Sequence, residues 1–175
     1  MVDNYKNVFH GFQKFLSDEP AQALTSFSVS TRQVAGLRSQ ASLRDFTLDL
    51  DEPPALAGTD AGPSPVELIL AALGSCQEIT YRLYADALGI PLNGVSVTLD
   101  GELDLRGFFA VDQSARPGFR GIRATVTLDS PADDERLAEL KAIVDRHCPV
   151  LDILQNPTPV RLALARARPA TVAAA

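Results

Sequence analysis

Apolar positions near the start of the chain recur at helical spacing. Val8, Phe9, Phe12, Phe15 and Leu16 share one side of a cylinder, which predicts a short amphipathic helix over residues 4–17. Asp18-Glu19-Pro20 ends it, because the residue before a proline is driven out of helical geometry. From Ser26 to Leu50 the period changes to two. SFSVSTRQV, LRSQASLRDF and TLDLDEP alternate polar and apolar residues and predict two or three antiparallel strands, with a turn at Ala35-Gly36. DEPPALAGTDAGPSP (51–65) is rich in proline, glycine and acid and predicts a loop long enough to suspect a function.

The segment SPVELILAALGSCQEITYRLYADAL (64–88) is the most decisive. Ser64 or Pro65 can start a helix, Glu67 suits its electropositive first turn, and Gly89-Ile90-Pro91 stops it. Such a helix is ~37 Å long. Its apolar residues go round most of the cylinder, the pattern of a buried helix. One small subunit struggles to cover it, which points to an oligomer. Val95–Phe109 and Phe119–Ser130 alternate again and predict two strands, with turn chemistry at ARPGF between them. Pro131–His147 predicts a helix with Leu137, Leu140, Ile143 and Val144 as its apolar stripe. Cys148-Pro149 breaks it, PVLDILQ forms a second short helix, and Pro157-Thr158-Pro159 leads into a last strand, VRLALAR. The order predicts an α+β fold with mainly antiparallel sheet. Residues 1–25 are then a helical extension, 26–168 one domain and 169–175 a frayed tail.

At 175 residues and 18.7 kDa the chain is long enough to bury a core. With 46% hydrophobic and 22% charged residues, it has the composition of neither a disordered chain nor a coiled coil. A net charge of -6 gives no basis for nucleic acid or an anionic membrane surface as partner. The longest uncharged apolar run, around Leu68–Cys76, falls well short of the ~20 residues a membrane span needs. No basic stretch followed by an apolar one opens the chain. A cytoplasmic protein with reduced thiols is expected.

That makes the two cysteines, Cys76 and Cys148, the question the sequence poses. Two cannot form a disulfide scaffold or a zinc site built on three or four thiolates. Each taken alone reads as a small buried hydrophobe. A reactive thiol must become a thiolate, and apolar burial opposes that. Cys76 lies mid-helix and needs a cation from elsewhere. Glu67 lies nine residues earlier, ~180° round and ~13 Å along an ideal helix, so it cannot touch Cys76 directly. Glu78 is expected to pair with Arg82 on a solvent-facing stripe. Cys148 precedes Pro149 at a helix start, where the dipole favours thiolate. His147 points about 100° away and reads as a surface or capping residue rather than a base. A metal site from Cys76, Cys148 and His147 lacks a fourth ligand and is not expected. Phe108, Phe109 and Phe119 can line an apolar pocket, but ordinary core is the simpler reading.

Two stretches, GPSPVELILAALGSC (62–76) and RHCPVLDIL (146–154), together with their spacing and the strand pair between them, resemble the OsmC/Ohr family of thiol-dependent peroxidases. The resemblance runs over roughly residues 26–165 and is nearest the broad OsmC-like branch. It implies an intertwined homodimer, with each long helix between sheets and the sites at the subunit interface. It further implies reduction of organic or fatty-acid-type hydroperoxides without a cofactor. Cys76 stands at the family's peroxidatic position and Cys148 at its resolving position, and a dithiol, often a lipoyl group, reduces the disulfide between them. The family's glutamate lies ten residues before the first cysteine, where this chain has Val66; its acid is Glu67. The family's arginine comes from the N-terminal strands, where Arg38 and Arg44 are the candidates. The change at Val66 motivates a rival, an OsmC-fold binding module for a small hydrophobic ligand. A third reading is a redox-sensing disulfide switch.

Overall fold

The longest element, α2 (Pro65–Leu88), is fixed at both ends by its own sequence. In the computed structural model, which describes residues 5–166, Ser64 accepts a hydrogen bond from the Glu67 N–H and the Glu67 carboxylate accepts one from the Ser64 N–H. This reciprocal cap satisfies two donors that a helix start otherwise leaves open. At the other end Gly89 adopts φ 66°, the left-handed geometry that closes a helix and that glycine tolerates best. Between them α2 crosses β4 (Gly94–Leu103) at Gly74. A Cβ there would stand 2.9 Å from Leu99 Cδ1, so a larger residue would require the Leu99 side chain to shift.

Ahead of α2 stand helix α1 (Tyr5–Asp18) and the meander β1 (Ser30–Ala35), β2 (Arg38–Leu43) and β3 (Phe46–Leu50). The meander is antiparallel and in register through Thr31, Ala41 and Leu48. The loop that follows is tied to Asp51. Its carboxylate accepts hydrogen bonds from the Thr59 hydroxyl at 2.5 Å, and from the N–H groups of Glu52, Thr59 and Ala61. Beyond α2, β4 pairs antiparallel with β5 (Phe119–Asp129). Helices α4 (Asp134–His147) and α5 (Pro149–Gln155) follow. The result is the α+β arrangement of antiparallel sheets that the pattern predicts.

Three expectations are corrected. The strand anticipated as far as Phe109 stops at Leu103, because Asp104 caps a single helical turn, α3 (Leu105–Phe108), by accepting from the Arg106 N–H. Phe108 and Phe109 lie on the surface and pack edge-to-face on each other at 5.0 Å, not in the core. The last strand is not formed either. Residues 157–166 run without regular structure, and Val160, Leu162 and Leu164 face solvent. Alternation prepares a segment for pairing, but a ladder also needs a free edge beside it. The tail 169–175 lies outside the described residues.

The core lies between α2, the β4–β5 ribbon and α4. Tyr81, Ala85, Ile90, Leu92, Leu140 and Val144 fill it, with Val95, Val126 and Leu128 packed against them. The β1–β3 sheet contributes none of these; Ala41 is its one buried residue among those described. The chain therefore exposes 13637 Å², whereas a compact monomer of this mass exposes about 8,300 Å².

Two outcomes follow from this packing. Leu140 is 0% exposed, so Leu140→Ala should lower unfolding free energy by about 2–5 kcal/mol in chemical denaturation. Asp51 is held at about 2, chiefly by the Thr59 hydroxyl. A folded pKa below the unfolded one stabilises above about pH 4, and that contribution is lost as pH falls towards 2. Thr59→Val should move the Asp51 titration upward in a carboxyl NMR titration, narrowing that window.

Candidate functional site

Cys76 sits in the middle of α2 on a face that lines a surface cavity. Ala72, Ser75, Ile79, Thr80, Leu83 and Tyr84 share that face, the spacing of one helical stripe. Cys148 occupies the junction where α4 ends and α5 begins. Pro149 has no N–H to continue the α4 ladder, so the chain turns out of helix at Cys148, with φ -77° and ψ 112°. Its own N–H still donates to the Val144 carbonyl at 2.9 Å, which holds the turn against α4. Cys148 is 1% exposed and Cys76 is half-buried; both are free thiols. Their sulfurs are 3.3 Å apart.

The start of α5 serves Cys76. The Val150 N–H, one of the donors a helix start leaves unpaired, hydrogen-bonds to the Cys76 sulfur and favours its thiolate. Burial acts the other way and is the larger effect, and the adjoining Cys148 thiol adds to it. Cys76 is accordingly held above the ordinary thiol value. The Thr80 hydroxyl lies one turn on; it donates to the Cys76 carbonyl at 2.7 Å and is also within reach of the sulfur.

On the Cys76 side of this pair lies a solvent-open cavity of about 470 Å³, also lined by His147, Pro149 and Val150, while Cys148 is buried behind it. Its walls are mostly apolar, and Ile79 at its rim is 61% exposed. His147 stacks on Tyr84 with ring centres 5.4 Å apart and planes 15° apart, and Phe9 of α1 meets Tyr84 edge-on at 4.9 Å. The residue that closes α4 is Cys148, not His147.

The remaining candidates lie away from the sulfurs. Glu67 is engaged in the cap of α2, and the Ser64 N–H holds its carboxyl below the usual range. Arg38 pairs across the β2–β3 ladder with Asp49 at 2.9 Å, while its Nε is buried without a partner. Arg44 lies in the β2–β3 turn over the Phe46 ring. None of the three lines the thiol cavity. Arg82 does not pair with Glu78. It donates to the Leu92 carbonyl at 2.6 Å and approaches Asp86 at 3.7 Å, because the chain leaving α2 folds back alongside it. Thr80 and Tyr84 were legible only as residues four and eight beyond Cys76. The Val150 amide and the Phe9 contact carry no motif of their own. Among the described residues no group of three or more His, Cys, Asp and Glu side chains is placed to hold a metal ion.

The family model described as OsmC-like protein matches residues 58–163, which include both cysteines and every element from α2 to α5. This chain belongs to the OsmC-like family. Solved structures agree on the fold. An OsmC-like protein from Mycoplasma pneumoniae superposes with a TM-score of 0.67 at 22% identity, over 76% of this chain and 89% of its own. An organic hydroperoxide resistance protein from Legionella pneumophila gives 0.59 at 22% identity, over 76% and 91%. The organic hydroperoxide resistance protein OhrB of Bacillus subtilis gives 0.52 at 20% identity, over 77% and 94%. Among curated proteins none matches this sequence. Among the described residues of this OsmC-like chain no helix is long and apolar enough to cross a membrane.

The raised thiol sets an expectation. Alkylation of Cys76 by iodoacetamide, followed by mass spectrometry between pH 6 and 10, should still be accelerating at the alkaline end. Cys148→Ala should shift that rise to lower pH, since it removes a neighbour that disfavours the thiolate.

Proposed function

We propose that this chain is a thiol-dependent peroxidase for organic hydroperoxides, and that the sulfur pair 3.3 Å apart, with Cys76 opening on an apolar cavity, carries the reaction. Cys76, the more open sulfur, attacks the outer peroxide oxygen as thiolate. The O–O bond breaks, an alcohol leaves, and Cys76 keeps the oxygen as sulfenic acid. Cys148, already beside it, attacks the Cys76 sulfur; the S–O bond breaks, water leaves and a disulfide forms. A disulfide needs the sulfurs about 2.05 Å apart, so a shift of little more than 1 Å at the α4–α5 turn is enough. A small dithiol such as a lipoyl group then exchanges with the disulfide through the open side of the cavity. The apolar walls suit a hydrophobic peroxide.

The working unit in this reading is a homodimer. The excess exposed area leaves ample surface for an obligate interface, of which each partner supplies half. The β1–β3 sheet adds nothing to the core, and the alternating segment at 160–166 has no strand beside it, so both await a second copy. Arg38 and Glu67 then act, if they act at the thiol, across that interface. Residues 26–168 form the domain, residues 1–25 extend it, and the cytoplasm keeps both thiols reduced.

A second reading, a binding module for a small hydrophobic ligand, draws on the raised Cys76 and on the lack of Arg or Lys in the cavity lining. One assay separates the two. With cumene hydroperoxide and dihydrolipoamide, turnover is expected for the wild type and none for Cys76→Ser. Cys148→Ser should accumulate sulfenic acid trapped by dimedone. A wild type that consumes no peroxide refutes the enzyme, and disulfide formation without sustained turnover points to a switch. Sedimentation at micromolar concentration should give twice the chain mass.

A further inference from the structure

The cavity holds a thiol that resists ionisation, and the wall around it offers a single basic side chain. Ala72, Ile79, Leu83, Pro149 and Val150 carry no titratable group, and the neighbouring hydroxyls of Ser75 and Thr80 do not ionise in the working range. His147 is the basic group that lines the same space as Cys76. Histidine is also the side chain whose ordinary titration falls near neutral pH.

Its position is built by three elements. Pro149 ends α4 immediately after it, so the ring projects from the last helical position towards α2. There it lies flat on Tyr84, which Phe9 of α1 buttresses from another direction. Of the titratable groups, Cys76 and Tyr84 on α2 line the same cavity, and Arg146 and Cys148 flank His147 in sequence. Burial holds the Tyr84 phenol above its ordinary value, so Tyr84 stays neutral and acts as a platform.

We propose that His147 is the acid–base residue of this pocket, a role that rests on the peroxidase reading given above. In the first half-reaction the neutral imidazole takes the proton of the Cys76 thiol, and the sulfur electron pair forms the bond to the outer peroxide oxygen. The O–O bond breaks towards the departing alkoxide, which takes the proton back from the imidazolium and leaves as alcohol. In the second half-reaction the imidazole takes the proton of Cys148. The Cys148 sulfur attacks Cys76, and the released hydroxide collects that proton as water. The ring carries one proton each way and is unchanged at the end.

The test is stopped-flow oxidation of the reduced protein by cumene hydroperoxide across pH 5.5–9, read for wild type, His147→Phe, His147→Ala and Cys76→Ser. His147→Phe keeps an aromatic ring for Tyr84 to stack on but cannot move a proton. It should slow Cys76 oxidation by on the order of 100-fold at neutral pH and lose the wild type's dependence on pH below the range where the thiol itself ionises. Free imidazole should restore a large part of the rate to His147→Ala, whose cavity has room for it, and none to His147→Phe. Rescue would also show that the alanine variant is folded. If His147→Phe keeps the wild-type rate and pH profile while Cys76→Ser is inert, the role of His147 falls and the peroxidase stands. If the wild type itself is not oxidised by the peroxide, both fall.

Discussion

Pro149 cannot supply the N–H that would carry α4 past His147, and its ring excludes another turn of helix. Much of the site depends on that one covalent restriction. The chain must leave helix for one residue, and that residue is Cys148. The extended backbone at Cys148 aims its sulfur at the middle of α2, and α5 restarts with its open N–H groups on the same side. One proline thus accounts for the 3.3 Å sulfur pair, for the Val150 hydrogen bond to Cys76, and for the place of His147 at the last position of α4. Moving the break by one residue in either direction would turn Cys148 by about 100° and separate the pair.

Bringing two thiols together in an apolar place has an electrostatic consequence. Burial raises the Cys76 thiol, and the adjoining Cys148 thiol adds to that effect. Burial favours the protonated state, and a single backbone donor opposes it. Left to these forces Cys76 stays protonated at rest, which protects it from indiscriminate oxidation. Any route to chemistry must supply a cation or a base at the moment it is needed.

The sequence made legible whatever is decided within a few residues. Ser64 with Glu67, Gly89, and Cys148 before Pro149 are local signals, and they mark the ends of α2 and the α4–α5 break where the structure has them. The alternating segments gave β1–β3, β4 and β5 for the same reason. What escaped depends on partners distant in the chain. Asp104 diverted the end of β4 into a helical turn. Arg82 found carbonyls of the segment after α2 rather than Glu78, and the segment at 160–166 found no edge. At the site the two cysteines were visible, but Thr80, Tyr84, the Val150 amide and Phe9 join them only because α5 and α1 cross α2 at one level. His147 was misleading for a related reason: the angle between neighbours in a helix says where it does not point, and only the packing of α4 on α2 says that it meets Tyr84.

The proposed routes to a reactive thiol differ in their physics. A guanidinium brought from a second subunit would lower the thiol's pKa by standing charge, and the rate would be flat in pH until the thiol itself protonates. Arg38 is the candidate for that route, but Asp49 already holds its guanidinium at 2.9 Å, so much of the positive charge is neutralised before it reaches a neighbour. A base in the pocket acts differently. It leaves the thiol's resting pKa high and removes the proton only as the sulfur bonds to oxygen, so the rate follows the state of the imidazole. The second arrangement needs nothing beyond what α2, α4 and α5 already place around Cys76. It also keeps the thiol protonated between turnovers, which suits a cavity open to solvent and to oxidants other than its substrate.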